Sequence, residues 1–249
     1  MPSAGAEVFD ERRAGSFIRS AGREVLTAGS ECLSDSGRDI KLNTDAELHD
    51  RLSMFLTDFS GLPILSEEGE QPDYTSVQGS FWILDPLDGS YNFHRGLPHA
   101  AVSVSLWKNC VPQVSYVYDI FRDTLYYAGT GGGCFADGGK IQCSDADSAE
   151  KAAVASGFSV YRDYSDEEML KDIVFLRRFK KVRFIGSAAL SLAYVAEGRL
   201  DAYFETDIGI WDVAAGLGLV KAAGGTYRIE KGSAPNRVTV FAHNGRLDL

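Results

Sequence analysis

Near the start of the chain, Ala14, Phe17, Ile18, Ala21 and Val25 recur at a 3.6-residue period, which predicts an amphipathic helix. A second helix is predicted from Thr44, where Thr-Asp-Ala-Glu (44–47) has capping-box spacing and Leu48, Leu52, Phe55 and Phe59 make the buried stripe. Beyond Gly61 the period shortens. PILSEE, FWILD, AVSVSLW, PQVSYVYDI and TLYYAG are β-rich runs punctuated by Gly and Pro, and Asp137-Gly138 has the chemistry of a tight hairpin turn.

From about residue 150 strand-like and helix-like segments alternate. AAVASGF reads as a strand, and Ser165-Asp-Glu-Glu168 as a second capping box opening a helix that buries Met169, Ile173 and Leu176. RFIG precedes a helix from Ser187 to about Glu197, with Gly198 as its stop. DAYFE is a strand, DVAAGLGLVKAAGG a helix ending at Gly224-Gly225, and TYRI and VTVFA close the chain as strands. The pattern predicts a layered α/β sandwich, α+β and mainly antiparallel in its first half. It reads as one domain over residues 1–249 in two packed halves, about 1–145 and about 146–249.

Composition narrows the class. With 249 residues, 45% of them hydrophobic and 24% charged, the chain has material for an ordinary globular core. No apolar run approaches the ~20 residues of a membrane helix. The opening MPSAGAEVFDERRAG lacks a basic start followed by an apolar stretch, so no secretory signal is expected. A net charge of −10 argues against nucleic-acid or acidic-membrane partners. It permits a small phosphorylated metabolite, provided that cations supply positive charge locally. Cys32, Cys110, Cys134 and Cys143 form no CxxC pair, which suits free thiols in a cytoplasmic protein.

Three short acidic segments end apolar runs: SEEGE (Glu67, Glu68), DPLDGS (Asp85, Asp88, Gly89, Ser90) and IWDVAAG (Asp212). Singly each is bland. A Glu-Glu pair suits a solvated turn, a Trp-Asp at a helix start suits a cap, and Asp-Pro and Asp-Gly both favour turns. If the strand ends converge, however, four or five carboxylates share one small volume, where they repel and raise one another's pKa. Divalent cations relieve that repulsion, and all-oxygen ligands without histidine select magnesium over zinc or copper. The Leu87 carbonyl would add another hard oxygen. Gly89 and Ser90 can present backbone amides and a hydroxyl to an anion, so metals beside an anion cradle suggest phosphoryl chemistry. His94 and His99 lie close to this motif but suit packing or surface roles.

With these segments in hand the chain resembles the inositol monophosphatase family of magnesium-dependent, lithium-sensitive phosphatases. The resemblance runs from Thr44-Asp45 to AAGG (222–225) through SEE (66–68), WILDPLDGSYNF (82–93), GSAALSLAYVAEGRLDAYFE (186–205) and WDVAAG (211–216). It implies a layered αβαβα sandwich, a homodimer and two or three Mg2+ ions. It also implies metal ligation by Glu67, Asp85, the Leu87 carbonyl, Asp88 and Asp212, and catalytic roles for Glu67, Asp88 and Ser90. Gly89 and Ser90 would bind phosphate, while Gly186, Ser187, Ala188, Glu205 and Asp212 would line the pocket for the alcohol half. The implied reaction is hydrolysis of a phosphate monoester by metal-activated water, with inositol monophosphate as leading substrate. Alternatives are 3′-phosphoadenosine 5′-phosphate, fructose bisphosphate or histidinol phosphate, or a non-catalytic regulatory role. Two features depart from the family pattern: serine at 90 where threonine is usual, and Lys41 close to Asp45 within SDSGRDIKLNTD.

Overall fold

The computed structural model describes residues 10–28, 31–37, 39–68 and 72–248. Most of the opening MPSAGAEVFDERRAG, and Gly69-Glu70 of the SEEGE segment, lie outside them. The chain begins with helix α1 (Glu11–Ala28), a small hairpin of β1 (Cys32–Ser36) and β2 (Asp39–Leu42), and helix α2 (Asn43–Ser60). Then come β3 (Ile64–Ser66), β4 (Ser80–Asp88), a one-turn helix α3 (Ser90–His94), β5 (Ala101–Lys108), β6 (Val111–Asp119), β7 (Thr124–Ala128), β8 (Cys134–Ala136) and β9 (Gly139–Ile141). The second half runs β10 (Ala153–Ser156), α4 (Asp166–Leu176), β11 (Lys181–Phe184), α5 (Ala188–Ala196), β12 (Ala202–Gly209), α6 (Ile210–Ala222), β13 (Thr226–Lys231) and β14 (Arg237–His243).

Strands β3 to β9 form a seven-stranded sheet in sequence order, parallel at β3–β4 and antiparallel elsewhere. The other large sheet has the order β11-β10-β12-β14-β13, parallel around β10 and antiparallel around β14. Alternation along β4 shows how the layers stack. Trp82 and Leu84 pack with Ile18, Leu48 and Leu52 of α1 and α2. Phe81 and Ile83 pack with α5, α6 and the inner face of the second sheet at Tyr203 and Val240. Beyond that sheet, Phe175 and Leu176 of α4 cover Val154, Phe204 and Phe241. The order of layers is αβαβα, as the resemblance implies.

Most predicted elements are present. The Asp137-Gly138 turn closes the β8–β9 hairpin with φ of 48° and 82°, the positive values such a turn requires. Ser165 caps α4 and Ser187 caps α5 through their hydroxyls. Three details correct the reading of the pattern. Helix α2 starts at Asn43 because β2 runs straight into it at Leu42, so Thr44 is no cap. Asp45 instead closes the helix end by accepting the Leu42 amide at 2.7 Å. On α4, Ile173 is exposed and Met169 half-buried, since the inward position is taken by Asp172 paired with Arg162. Helix α6 starts at Ile210, which puts Asp212 inside its first turn.

Candidate active site

The carboxyl ends of β3 and β4 meet the first turns of α3, α5 and α6 around a cavity of about 240 Å³. Every site residue expected from the sequence lines it: Glu67, Asp85, Leu87, Asp88, Gly89, Ser90, Gly186, Ser187, Ala188, Glu205 and Asp212. Glu67 follows β3, and its amide continues the pairing by donating to the Leu84 carbonyl at 3.3 Å. Asp85 lies within β4, where the pairing with β5 breaks register between Asp85 and Asp88. That irregularity aims residues 85–88 out of the ladder and into the cavity.

Glu67, Asp85 and Asp212 bring one oxygen each to within 4.8 Å of one another. Burial, and then the charges of Glu67 and its neighbours, push Asp85 and Asp212 well above the ordinary carboxylate range. Asp85 Oδ1 accepts the Leu87 amide at 3.0 Å, while its Oδ2 is buried with no hydrogen-bond partner among the described residues. A buried, orphaned carboxylate oxygen facing two other carboxylates fits a hard divalent cation, which satisfies all three at once.

Asp88 occupies the same cavity but stands outside that trio. The N-terminus of α5 draws it away: Ser187 Oγ and the Ala189 amide (2.8 Å) donate to its Oδ2, and the Ala188 amide reaches Oδ1 at 3.3 Å. Burial raises its pKa to about 6, with those donors pulling the other way. Ser90 Oγ lies 2.8 Å from the Leu87 carbonyl and 3.0 Å from Asp45 Oδ1. Desolvation puts Asp45 at about 6 despite the bonds from Leu42 and Ser90. Gly89 has φ of 85°, and a Cβ there would stand 2.6 Å from the His99 carbonyl oxygen. No other residue fits that turn without moving the backbone.

Glu205 forms the far wall. Its Oε2 accepts the Tyr203 hydroxyl at 2.7 Å, and burial raises its pKa to about 7. A Cβ on Gly157 would collide with its carboxylate.

The comparisons with known proteins decide the family. A profile described as "Inositol monophosphatase family" matches residues 6–247. The chain belongs to the inositol monophosphatase family. Similar members include an inositol-1-monophosphatase of Synechocystis (34% identical, over 99% of this chain and 91% of that one). Another is that of Bacillus subtilis (33%, over 87% and 83%). The Nus factor SuhB of Xylella fastidiosa is 40% identical over 65% of this chain and 58% of its own length. Among solved structures, the inositol monophosphatase of Anabaena superposes with a TM-score of 0.80 at 30% identity, covering 96% of this chain and 90% of that one. The extragenic suppressor protein suhB of Bartonella henselae gives 0.82 at 28%, covering 95% and 94%.

Within this family frame, sequence reasoning missed three contributors. Asp45 stood in plain view as the Asp of Thr44-Asp45 but was read as part of a helix cap. Lys41 pairs with Glu68 at 2.8 Å on the cavity edge, a contact across 27 residues that no local pattern announces. The segment around Phe158 and Tyr161 also lines the cavity, and its only signal was an unusual density of aromatic residues.

Proposed function

We propose that this inositol monophosphatase family member hydrolyses inositol monophosphate to inositol and phosphate. The observation that carries the reading is the buried Asp85 Oδ2, without a hydrogen-bond partner among the described residues and set in a trio of carboxylates, beside the Ser90–Asp45 contact. Glu67, Asp85 and Asp212 would hold magnesium, two or three ions, together with Asp88 and the Leu87 carbonyl. Bound magnesium lowers the pKa of water and neutralises charge on the phosphate.

The chain's own groups supply the rest. Gly89 and Ser90 hold the phosphate through backbone amides and the hydroxyl. Asp45 accepts the Ser90 proton, so that the Ser90 oxygen can take one from the attacking water, which Glu67 orients. Asp88 anchors the first turn of α5 and thereby sets Gly186, Ser187 and Ala188 along the alcohol half of the substrate. Glu205 and Asp212 accept hydrogen bonds from its hydroxyls. The enzyme forms no covalent bond to phosphorus in this scheme. Both halves of the chain contribute, 1–145 through β3, β4 and α2 and 146–249 through α5, α6 and β12, so they act as one catalytic domain.

The same reading extends to setting. The free thiols of Cys32 and Cys110, both exposed, suit a cytoplasmic enzyme. Helix α4 exposes Leu170, Ile173 and Val174 between an acidic first turn (Asp166, Glu167, Glu168) and Arg177-Arg178 beyond its end. Antiparallel pairing across a two-fold axis would join apolar centres and opposite charges, which supports a homodimer.

The test is phosphate release from inositol 1-phosphate with magnesium, with chelator, and with added lithium. Turnover that needs magnesium, stops with chelator and is inhibited by millimolar lithium is the expected result. Hydrolysis without magnesium, or none from folded protein saturated with it, overturns the reading.

A further inference from the structure

The cavity has two kinds of wall. The inner one is acidic and hydroxyl-bearing. The outer lip is largely apolar and comes from residues 157–161, in the segment between β10 and α4, where Phe158, Val160 and Tyr161 line the cavity while remaining 37–38% exposed.

Large side chains on a loose loop would fold away from water, but this loop is braced from both sides. Arg162, only 5% exposed, pairs with Asp172 of α4, whose Oδ1 accepts from Thr206 Oγ1 at 3.1 Å. The Arg162 guanidinium lies over the rings of Phe158 and Tyr164, 5.3 and 5.7 Å from their centroids. The Tyr164 hydroxyl reaches the carbonyls of Phe158 and Ser159 at 2.9 and 3.0 Å. Phe158 also stacks on Phe184 of β11 at 5.1 Å. Tyr161 is held separately: Arg237, at the start of β14, lies over both the Tyr161 and the Trp211 rings, and Trp211 precedes the carboxylate Asp212. A buried Arg–Asp pair contributes little net stability, so its consequence here is placement.

We propose that Phe158 and Tyr161 form a specificity wall, favouring phosphate monoesters whose alcohol turns a ring face toward it, whether the C–H face of inositol or an aromatic ring, over open-chain alcohols. This rests on the phosphatase reading above. A preformed aromatic face adds stacking without the entropy of ordering a loop, and that benefit goes only to ligands carrying a ring.

Calorimetric titration of the magnesium-loaded protein with benzylphosphonate and with methylphosphonate separates the two readings, because neither probe needs turnover. Benzylphosphonate is expected to bind more tightly, and Tyr161→Ala or Phe158→Ala to reduce the ratio of the two affinities about fivefold, the scale of an aromatic contact. Tyr161→Phe keeps the ring and should keep the ratio. In kinetics, the preference for benzyl phosphate over glycerol 2-phosphate should fall in the alanine variants through KM rather than kcat. An affinity ratio unmoved in both alanine variants overturns the wall. Binding of both phosphonates without hydrolysis of any monoester overturns the phosphatase reading instead and leaves the wall standing.

Discussion

Ser90 Oγ stands 3.0 Å from Asp45 Oδ1, joining the first turn of α3 to the first turn of α2 across 45 residues of chain. The same oxygen is 2.8 Å from the Leu87 carbonyl, so its single proton has two acceptors and can leave toward either. Asp45→Asn removes the acceptor that can keep that proton. We expect kcat to fall about 10²- to 10⁴-fold, the usual worth of a positioned acid or base, with KM little changed. Ser90→Thr should stay active and Ser90→Ala should not. Steady-state phosphate release decides it, and near-normal turnover of Asp45→Asn would remove the pair from catalysis.

Asp85→Asn keeps the shape of the side chain while removing a charge from the trio with Glu67 and Asp212. Activity should drop by orders of magnitude even at saturating magnesium. The metal-free protein should melt at the same temperature or higher, because like charges no longer crowd there. A clear loss of apo stability would mean that the cluster's role is structural.

Stability of the metal-free protein should also depend on pH in a definite direction. Asp45 and Asp88 lie at about 6 and Glu205 at about 7 in the fold, all above their ordinary values. The folded state therefore holds more protons than the unfolded chain between about pH 4 and 7. Stability is fully present below the unfolded values and is lost as pH rises through the folded ones. In chelator the melting temperature should thus be higher near pH 5 than near pH 8, and magnesium should recover the loss at pH 8. A melting temperature that rises with pH in chelator contradicts this account.

Glu205→Gln leaves an acceptor beside Tyr203 but removes the charge facing the substrate hydroxyls. KM for inositol 1-phosphate should rise several-fold, with a smaller change in kcat, since ground-state contacts are what is lost. Gly157→Ala should produce a similar KM effect indirectly, because its Cβ displaces the same carboxylate. An unchanged KM in both variants would take Glu205 out of the pocket.

The sequence by itself determined most of the helices and strands, though not the β1–β2 hairpin or α3, and the identity of the carboxylates other than Asp45. Those properties are local: a 3.6- or two-residue period, a turn dipeptide, an acid placed where an apolar run stops. That is why DPLDGS and WDVAAG could be read as site segments before any fold was known. Only tertiary structure decided how the acids divide their work. Asp88 looks equivalent to Asp85 along β4, yet donors at the start of α5, 99 or more residues away, engage it at close range, while Asp85 Oδ2 has no partner among the described residues. Asp45 reads as a cap residue in its own helix and accepts the Ser90 hydroxyl only because α3 is packed against it. The stripe of α4 failed at Ile173 because a partner outside the helix, Arg162, claimed the inward position for Asp172. Periodicity records which way a residue points from its own element, and it carries no record of which donor from a distant segment will be waiting there.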